Sequence, residues 1–550
     1  MGRHHEQKGG VDGRDVRCDC NRWGPRGIGC DDRAKERGLS ALLIEKTDTL
    51  GGVTAYSAGQ LWVAGSFLER AAGIEDSAEA GAAYLRRLGM GFADEEHVRF
   101  YADNANPTLE YFTELLDAKF RIVDDLPDYY YGEFPDARRE GRLLEVDPYP
   151  GASLGQWRKL LRVSPHVQYR LTHEDMWKLG GIARSHTWDR SLLDQREADD
   201  ELCMGTGLAA LFLRGAIEAR SEIMTSTSVS ELVAEDGRVT GVRIDDGRSF
   251  GARFGVLIAT GAYDWDPRAM MGFEGIPDVA SATPPSVVGD HFRLTAPLGA
   301  RVVSEPKPMR LGYPIPGRKD DGQAMTGIFR AVSYPYSILV NGDGRRFCDE
   351  SFYPAIGHAL KTIDGRRQAF ANWPCWWVFD TKFRSEYSFS SISPGTDFPP
   401  EWDVVSADSI EGLAEKMGVD VDAFSDQVRR FNADCADGVD REFGRGERMY
   451  SQVSYGDHQA GQHPNLGPVA VGPFYAMRPV LVGTGIPTTG LDTDAVGRVL
   501  DYDGRPIEGL YVAGNSSAML EVGGGYQSGV ANMRSLITAR SSMFDAASKK

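Results

Sequence analysis

The chain has 550 residues, with 41% hydrophobic and 25% charged. That composition is ordinary for a globular protein, and the length predicts two or more domains. A net charge of -18 supplies no basic field for phosphates and excludes a nucleic-acid partner. No run of 18 or more apolar residues occurs, so no transmembrane segment is expected. The seven cysteines have neither disulfide nor metal-ligand spacing; no metal and a reducing, cytoplasmic setting are expected.

From Val16 to Lys46 the sequence reads as two halves. "GLSALLIEK" is an apolar strand closing on Glu45, as the second strand of a dinucleotide-binding βαβ unit does. A first strand, a glycine-rich turn and a helix should precede it. There the glycines let the backbone approach a pyrophosphate and the helix dipole favours the anion. An acid about 20 residues on accepts from the ribose hydroxyls. With Glu45 as that acid, the glycines belong near positions 22, 24 and 27. Gly24 and Gly27 are present, but position 22 is Arg22 and the strand position is Cys20. One choice of codons for Arg17–Arg33, read one base on, encodes D-V-T-V-I-G-G-G-P-A-G-L-A-A-T-I. That is a strand, a complete G-x-G-x-x-G and a helix start. Residues 1–33 are therefore read as a frame-shifted first strand and phosphate loop, in preference to an unrelated tail. As written, the chain is expected to lack both, with this segment disordered.

Next comes "TDTLGGVTAYSAGQLWVAG", rich in Gly, Thr and Ser. A helical region is predicted from Glu75 to Leu116. "VDDLPDYYYGEFPDARREGRLLEVDPYPG" follows, crowded with aromatics, a loop type that lines pockets. A helix is predicted over Leu208–Arg220, with strands over Ile223–Thr225, Val229–Glu235 and Val239–Asp245. "RFGVLIATGAYDWDP" is a buried strand ending on small residues. Composition shifts from Pro285 to Tyr455, which predicts an inserted domain at 285–455 between two parts, 34–284 and 456–550, of one nucleotide-binding domain. The chain closes on a strand (Leu510–Ala513), a Gly-rich loop and a helix.

Glu45, "LGGVTAYSAGQLWV" and "GLYVAGNSSA" together resemble the FAD-dependent 3-ketosteroid dehydrogenases, within the fumarate reductase/succinate dehydrogenase flavoprotein group. The resemblance runs from about Arg33 to the C-terminus. It implies an α/β fold, with a Rossmann-like FAD-binding domain and an inserted α+β catalytic domain. It also implies FAD, held by Gly24, Gly27, Glu45, Lys46, Gly51, Gly52, Thr54, Ala55, Ser57, Gly59, Val229, Thr260, Gly261, Gly514 and Asn515. In that family the "GG-T-AYS-G" segment wraps the pyrophosphate and flavin ring, and "GLY-x-x-GN" lies near the ribityl chain.

Desaturating a ketone needs donors to polarise the carbonyl, a base for the α-proton and an acceptor for the β-hydride. Tyrosine hydroxyls suit an apolar pocket because they donate without bringing in a full charge. The resemblance implies Tyr129 in the pocket loop and Tyr353 as base. It implies Tyr526 as carbonyl donor, followed by Ser528, with the backbone N–H of Gly529 or Val530 as second donor. Tyr526-Gln527-Ser528-Gly529 departs from the Tyr-Pro-Gly of the 1-dehydrogenases toward the 4-dehydrogenases, so either a 1,2- or a 4,5-bond is open. His166, His173, His186 and His358 are read as surface or core residues. Arg345 and Arg346 are read as partners of Asp349 or Glu350. The expected partners are a steroid or other cyclic ketone and an external, quinone-like electron acceptor. The competing readings are a fumarate reductase-type ene reductase, and an inactive, flavin-free chain.

Overall fold

A computed structural model describes residues 40–166, 170–389, 392–460 and 463–549, together with the backbone of Asp15–Val16 and Asp19–Asn21. At its centre is a ten-stranded sheet. Five neighbouring strands run parallel, in the order Pro506–Val512, Val256–Ile258, Asp19–Asn21, Leu42–Ile44 and Glu222–Met224. Val256–Ile258 and Leu42–Ile44 are buried throughout, the continuous apolar pattern of strands covered on both faces. An antiparallel ribbon, Val229–Glu235 with Arg238–Ile244, extends this sheet.

The backbone of Asp19–Asn21 pairs with Leu257 on one side and with Leu42–Ile44 on the other. The expectation that the chain lacks its first strand is therefore corrected. Two parallel neighbours offer backbone donors and acceptors that any residue type can meet. Apart from the backbone of Asp15–Val16, the rest of residues 1–33, with Gly24 and Gly27, lies outside the described residues.

The predicted helical region holds two helices, Ala78–Leu88 and Glu95–Leu115. They pack with the buried C-terminal helix Val530–Ser548 and with Met204–Glu218 in the largest apolar core. The second body is built on two four-stranded sheets. One joins Ala280–Ser281, Val480–Gly483, Arg310–Asp320 and Gln323–Ile328; the other joins Ser337–Val340, Trp376–Phe379, Phe474–Met477 and Val405–Ala407. These strands span 280–483. Arg346 is fully buried and pairs with Glu350, as expected, and also with Asp440, at 2.7 and 2.8 Å.

Candidate active site

Between the two bodies lies a cavity of about 1510 Å³, part of it open to solvent. One wall comes from the turn after the second parallel strand. Glu45 is buried at the end of that strand, its Oε1 accepting from the N–H and hydroxyl of Thr47 at 2.7 and 2.8 Å. Lys46 pairs with Asp290 at 2.7 Å. The short helix Gly52–Tyr56 then starts from Gly51. Thr54, Ser57 and Gly59 line the cavity, with Gly51, Gly52 and Ala55 in the same turn behind them. Ser57 Oγ donates to the Thr54 carbonyl and accepts from the Gly59 N–H. Gly59 has φ +72°, and a Cβ there would lie 2.3 Å from the Met204 carbonyl carbon, so this close approach admits only glycine.

The loop after Pro506–Val512 supplies the adjoining wall. Arg534, on the C-terminal helix, donates to the carbonyls of Gly514 and Ala518 at 2.6 and 2.5 Å and ties this loop down. Asn515 donates to the Gly485 carbonyl. Its buried Oδ1, on a residue of the cavity wall, has no partner among the described residues. Ser516 Oγ donates to the Gly261 carbonyl, beside Thr260. The Val229 carbonyl accepts from Arg293 at 2.9 Å, away from the cavity.

The facing wall is made of tyrosines. Tyr129 and Tyr526 line the cavity with Tyr450, Tyr455, Arg310 and Arg330. Ring centroids lie 4.1 Å apart for Tyr129 and Tyr450, 5.8 Å for Tyr129 and Tyr353, and 6.3 Å for Tyr129 and Tyr526. Tyr353 lines a recess shared with Arg310, Arg330 and Tyr455, next to the main cavity. Its hydroxyl is buried without a hydrogen bond among the described residues. The Arg310 guanidinium covers its ring face at 3.5 Å.

Burial pushes the hydroxyls of Tyr129, Tyr353, Tyr450 and Tyr526 above the ordinary phenol range, so they stay protonated. Tyr455 is the exception. Burial would raise it too, but the charges of Arg330 and Arg310 outweigh that and hold it below its ordinary value.

Gln527 was not among the expected site residues. Its Oε1 accepts from the Tyr84 hydroxyl at 2.6 Å and from the Tyr129 N–H at 3.0 Å. Ser528 donates its hydroxyl to Gln60. The Gln60 amide nitrogen meets His173 Nε2 at 3.1 Å, and His173 Nδ1 faces buried Glu145 at 2.8 Å. His173 therefore lies on the cavity wall as part of a hydrogen-bonded chain, and not as an isolated core histidine. Gly529, with φ +87°, lines the cavity. Val530 does not; its N–H goes to the Gln527 carbonyl at 3.3 Å. Tyr450, Tyr455, Arg310, Arg330 and Gln527 carry no local sequence signal. Only the strand register and the long-range packing bring them together.

The glycine turn, the loop held by Arg534 and the open acceptor on Asn515 suit a polar, planar cofactor. The family model of the FAD binding domain matches residues 30–531. The chain belongs to that family. Its cofactor is FAD, and the flavoprotein is an oxidoreductase similar to dehydrogenases that act on CH–CH donors. It is 30% identical to a 4-oxocyclohexanecarboxylate 2-dehydrogenase of Sinomonas cyclohexanicum, over 88% of this chain and 84% of that one. It is also 30% identical to a 3-oxosteroid 1-dehydrogenase of Mycolicibacterium smegmatis, over 88% and 89%. Among solved structures, a 3-ketosteroid delta1-dehydrogenase from Sterolibacterium denitrificans, in complex with 1,4-androstadiene-3,17-dione, superposes with a TM-score of 0.86. It is 27% identical, with 98% of this flavoprotein and all of that chain covered. Among the described residues, no helix is long and apolar enough to cross a membrane.

Proposed function

We propose that the flavoprotein desaturates a cyclic ketone next to its carbonyl. The observation that carries this reading is the tyrosine wall. Tyr129 and Tyr526, nearly 400 residues apart in sequence, face the same cavity as Thr54, Ser57, Gly59 and Asn515, with Tyr353 in the adjoining recess. The two relatives are named for a cyclohexanone carboxylate and for a 3-oxosteroid, which share a ring ketone. A quinone-like external electron acceptor, a cytoplasmic setting and a Rossmann-like nucleotide-binding half belong to the same reading.

In this reading Tyr526 and the Gly529 N–H donate to the ketone oxygen and stabilise the enolate that forms as the α-proton leaves. Tyr526 suits that task because burial keeps its hydroxyl protonated. Tyr353 takes the α-proton as its phenolate, the minor form that burial disfavours, with Tyr129 edge-on to it at 5.8 Å. The Arg310 guanidinium on the Tyr353 ring lowers the cost of the phenolate. Bound FAD supplies the acceptor for the β-hydride. Gln527 keeps Tyr129 in place, and Ser528, Gln60 and His173 fix the loop between Tyr526 and Gly529.

A second reading, reduction of an alkene by the same flavin, draws on the two arginines facing the cavity. Anaerobic mixing separates the two. A 3-ketosteroid or 4-oxocyclohexanecarboxylate is expected to bleach the flavin absorbance, and succinate to leave it unchanged. Bleaching by succinate and not by the ketones would overturn the proposal.

A further inference from the structure

Arg310 opens the strand Arg310–Asp320, and Arg330 lies two residues past the end of Gln323–Ile328. These strands pair antiparallel, with Gly312 opposite Ile328 and the Phe329 N–H donating to the Leu311 carbonyl. Arg330 then leaves the strand in a helical backbone conformation (φ −78°, ψ −26°), its N–H donating to the Ile328 carbonyl at 3.2 Å. Leu311 and Phe329 turn into the apolar core of the second body, and Arg310 and Arg330 both line the cavity.

Two like charges on one cavity wall repel each other. Buried cations are ordinarily paired with carboxylates. Among the described residues neither arginine has a carboxylate within 4.0 Å, in contrast to Arg142, Arg346 and Arg534, each of which has one. The residues lining the cavity include no Asp or Glu. Their aromatic partners are Tyr353, under Arg310 at 3.5 Å, and Tyr455, which lies under Arg330 at 5.3 Å and accepts a hydrogen bond from Arg310. Even a full phenolate on Tyr455 would offset one of the two charges. A wall meant for a neutral hydrocarbon ring would gain nothing from them. A carboxylate presents two oxygens to two guanidinium groups, and such charge-assisted bonds are the strong ones.

We propose that Arg310 and Arg330 bind a carboxylate of the substrate, so that the ketone desaturated in this cavity is a carboxylated ring and not a neutral one. This deepens the reading above and rests on it: the ketone oxygen goes to Tyr526 and Gly529, and the anion to the opposite end of the same wall.

The test uses the FAD-loaded enzyme. Cyclohexanecarboxylate, which has no ketone to oxidise, is expected to perturb the flavin absorbance saturably, at concentrations at least about tenfold below those at which cyclohexanecarboxamide does so. In turnover, 4-oxocyclohexanecarboxylate is expected to exceed its methyl ester in kcat/KM by at least about tenfold. Arg330→Gln is expected to shrink that ratio to about twofold or less while the flavin spectrum is retained. Equal binding of the acid and the amide by the wild-type enzyme would overturn the inference, whether or not the variant folds. So would an equal loss of acid and ester turnover in the variant, which would leave the arginines as supports for Tyr455. Bleaching by the ester or by a 3-ketosteroid with no preference for the acid would also overturn it and leave the desaturase reading standing. Tight binding of cyclohexanecarboxylate with no bleaching by any ketone would uphold the anion site and overturn the desaturase reading instead.

Discussion

The Tyr129 N–H donates to Gln527 Oε1 at 3.0 Å, joining the pocket loop to the loop that carries Tyr526 across 398 residues of chain. The same oxygen accepts from the buried Tyr84 hydroxyl at 2.6 Å. Gln527 thus holds two walls of the cavity in register without itself lining it. Gln527→Leu is expected to lower kcat about tenfold to a hundredfold with FAD still bound, because misplaced reacting groups are costly. Gln527→Glu keeps an acceptor and is expected to recover most of that loss. Steady-state kinetics on the two variants checks this.

If Tyr526 is the carbonyl donor proposed above, Tyr526→Phe removes that donor and leaves the ring in place. Loss of one such donor typically lowers kcat about a hundredfold or more, and the bound flavin spectrum is expected to stay intact. Unchanged turnover would remove Tyr526 from its assigned role.

Proton abstraction separates Tyr353 from Tyr455. With Tyr353 as base, Tyr353→Phe abolishes exchange of the ketone's α-hydrogens with deuterated solvent, and Tyr455→Phe slows it by less than about tenfold. NMR of the recovered ketone reads the exchange. The reverse order would assign the proton to Tyr455, whose hydroxyl the two arginines already hold low.

His166 packs edge-on against Tyr56 at 5.6 Å. Burial, with the Arg318 charge, lowers its pKa from 6.5 to about 4. The unfolded chain therefore takes up a proton below about pH 6.5 that the folded protein accepts only near pH 4. Folding stability is expected to fall through that window, by about 3 kcal/mol at most from this group. Above pH 7 the effect is absent. His166→Gln is expected to flatten this part of the stability–pH curve, as read by denaturant unfolding at pH 4.5 and 7.5.

The frame-shift reading of residues 17–33 has a direct check. Replacing that segment with the shifted-frame sequence is expected to tighten FAD binding at least about tenfold, because it supplies the backbone cradle for the pyrophosphate. Fluorescence of released flavin measures it, and unchanged affinity would remove the idea.

Local chemistry made much of the flavin half legible. Leu42–Ile44 with Glu45, the Gly51–Gly59 turn and the loop at Gly514 each announce themselves by apolar runs and by glycines that a tight approach requires. The helix Met204–Glu218 and the strand Arg238–Ile244 fall close to their predicted places because their periodicities are strong. Asp19–Asn21 took a central strand position despite its polar sequence, since flanking backbones recruited it. The arginine pair, Gln527 and His173 were not legible. Arg310 in "PKPMRLGYP" looks like any charged residue at a strand end. Only long-range packing, which depends on residues well away in the chain, brings it to the same cavity as Arg330.

The central claim is desaturation next to a ring ketone. Its most direct measurement is a single anaerobic turnover of the FAD-loaded enzyme with 4-oxocyclohexanecarboxylate, followed by mass analysis of the product. The expected result is a bleached flavin and one equivalent of the α,β-unsaturated ketone, lighter by two hydrogens. A flavin that stays oxidised, with the ketone recovered unchanged, would contradict it.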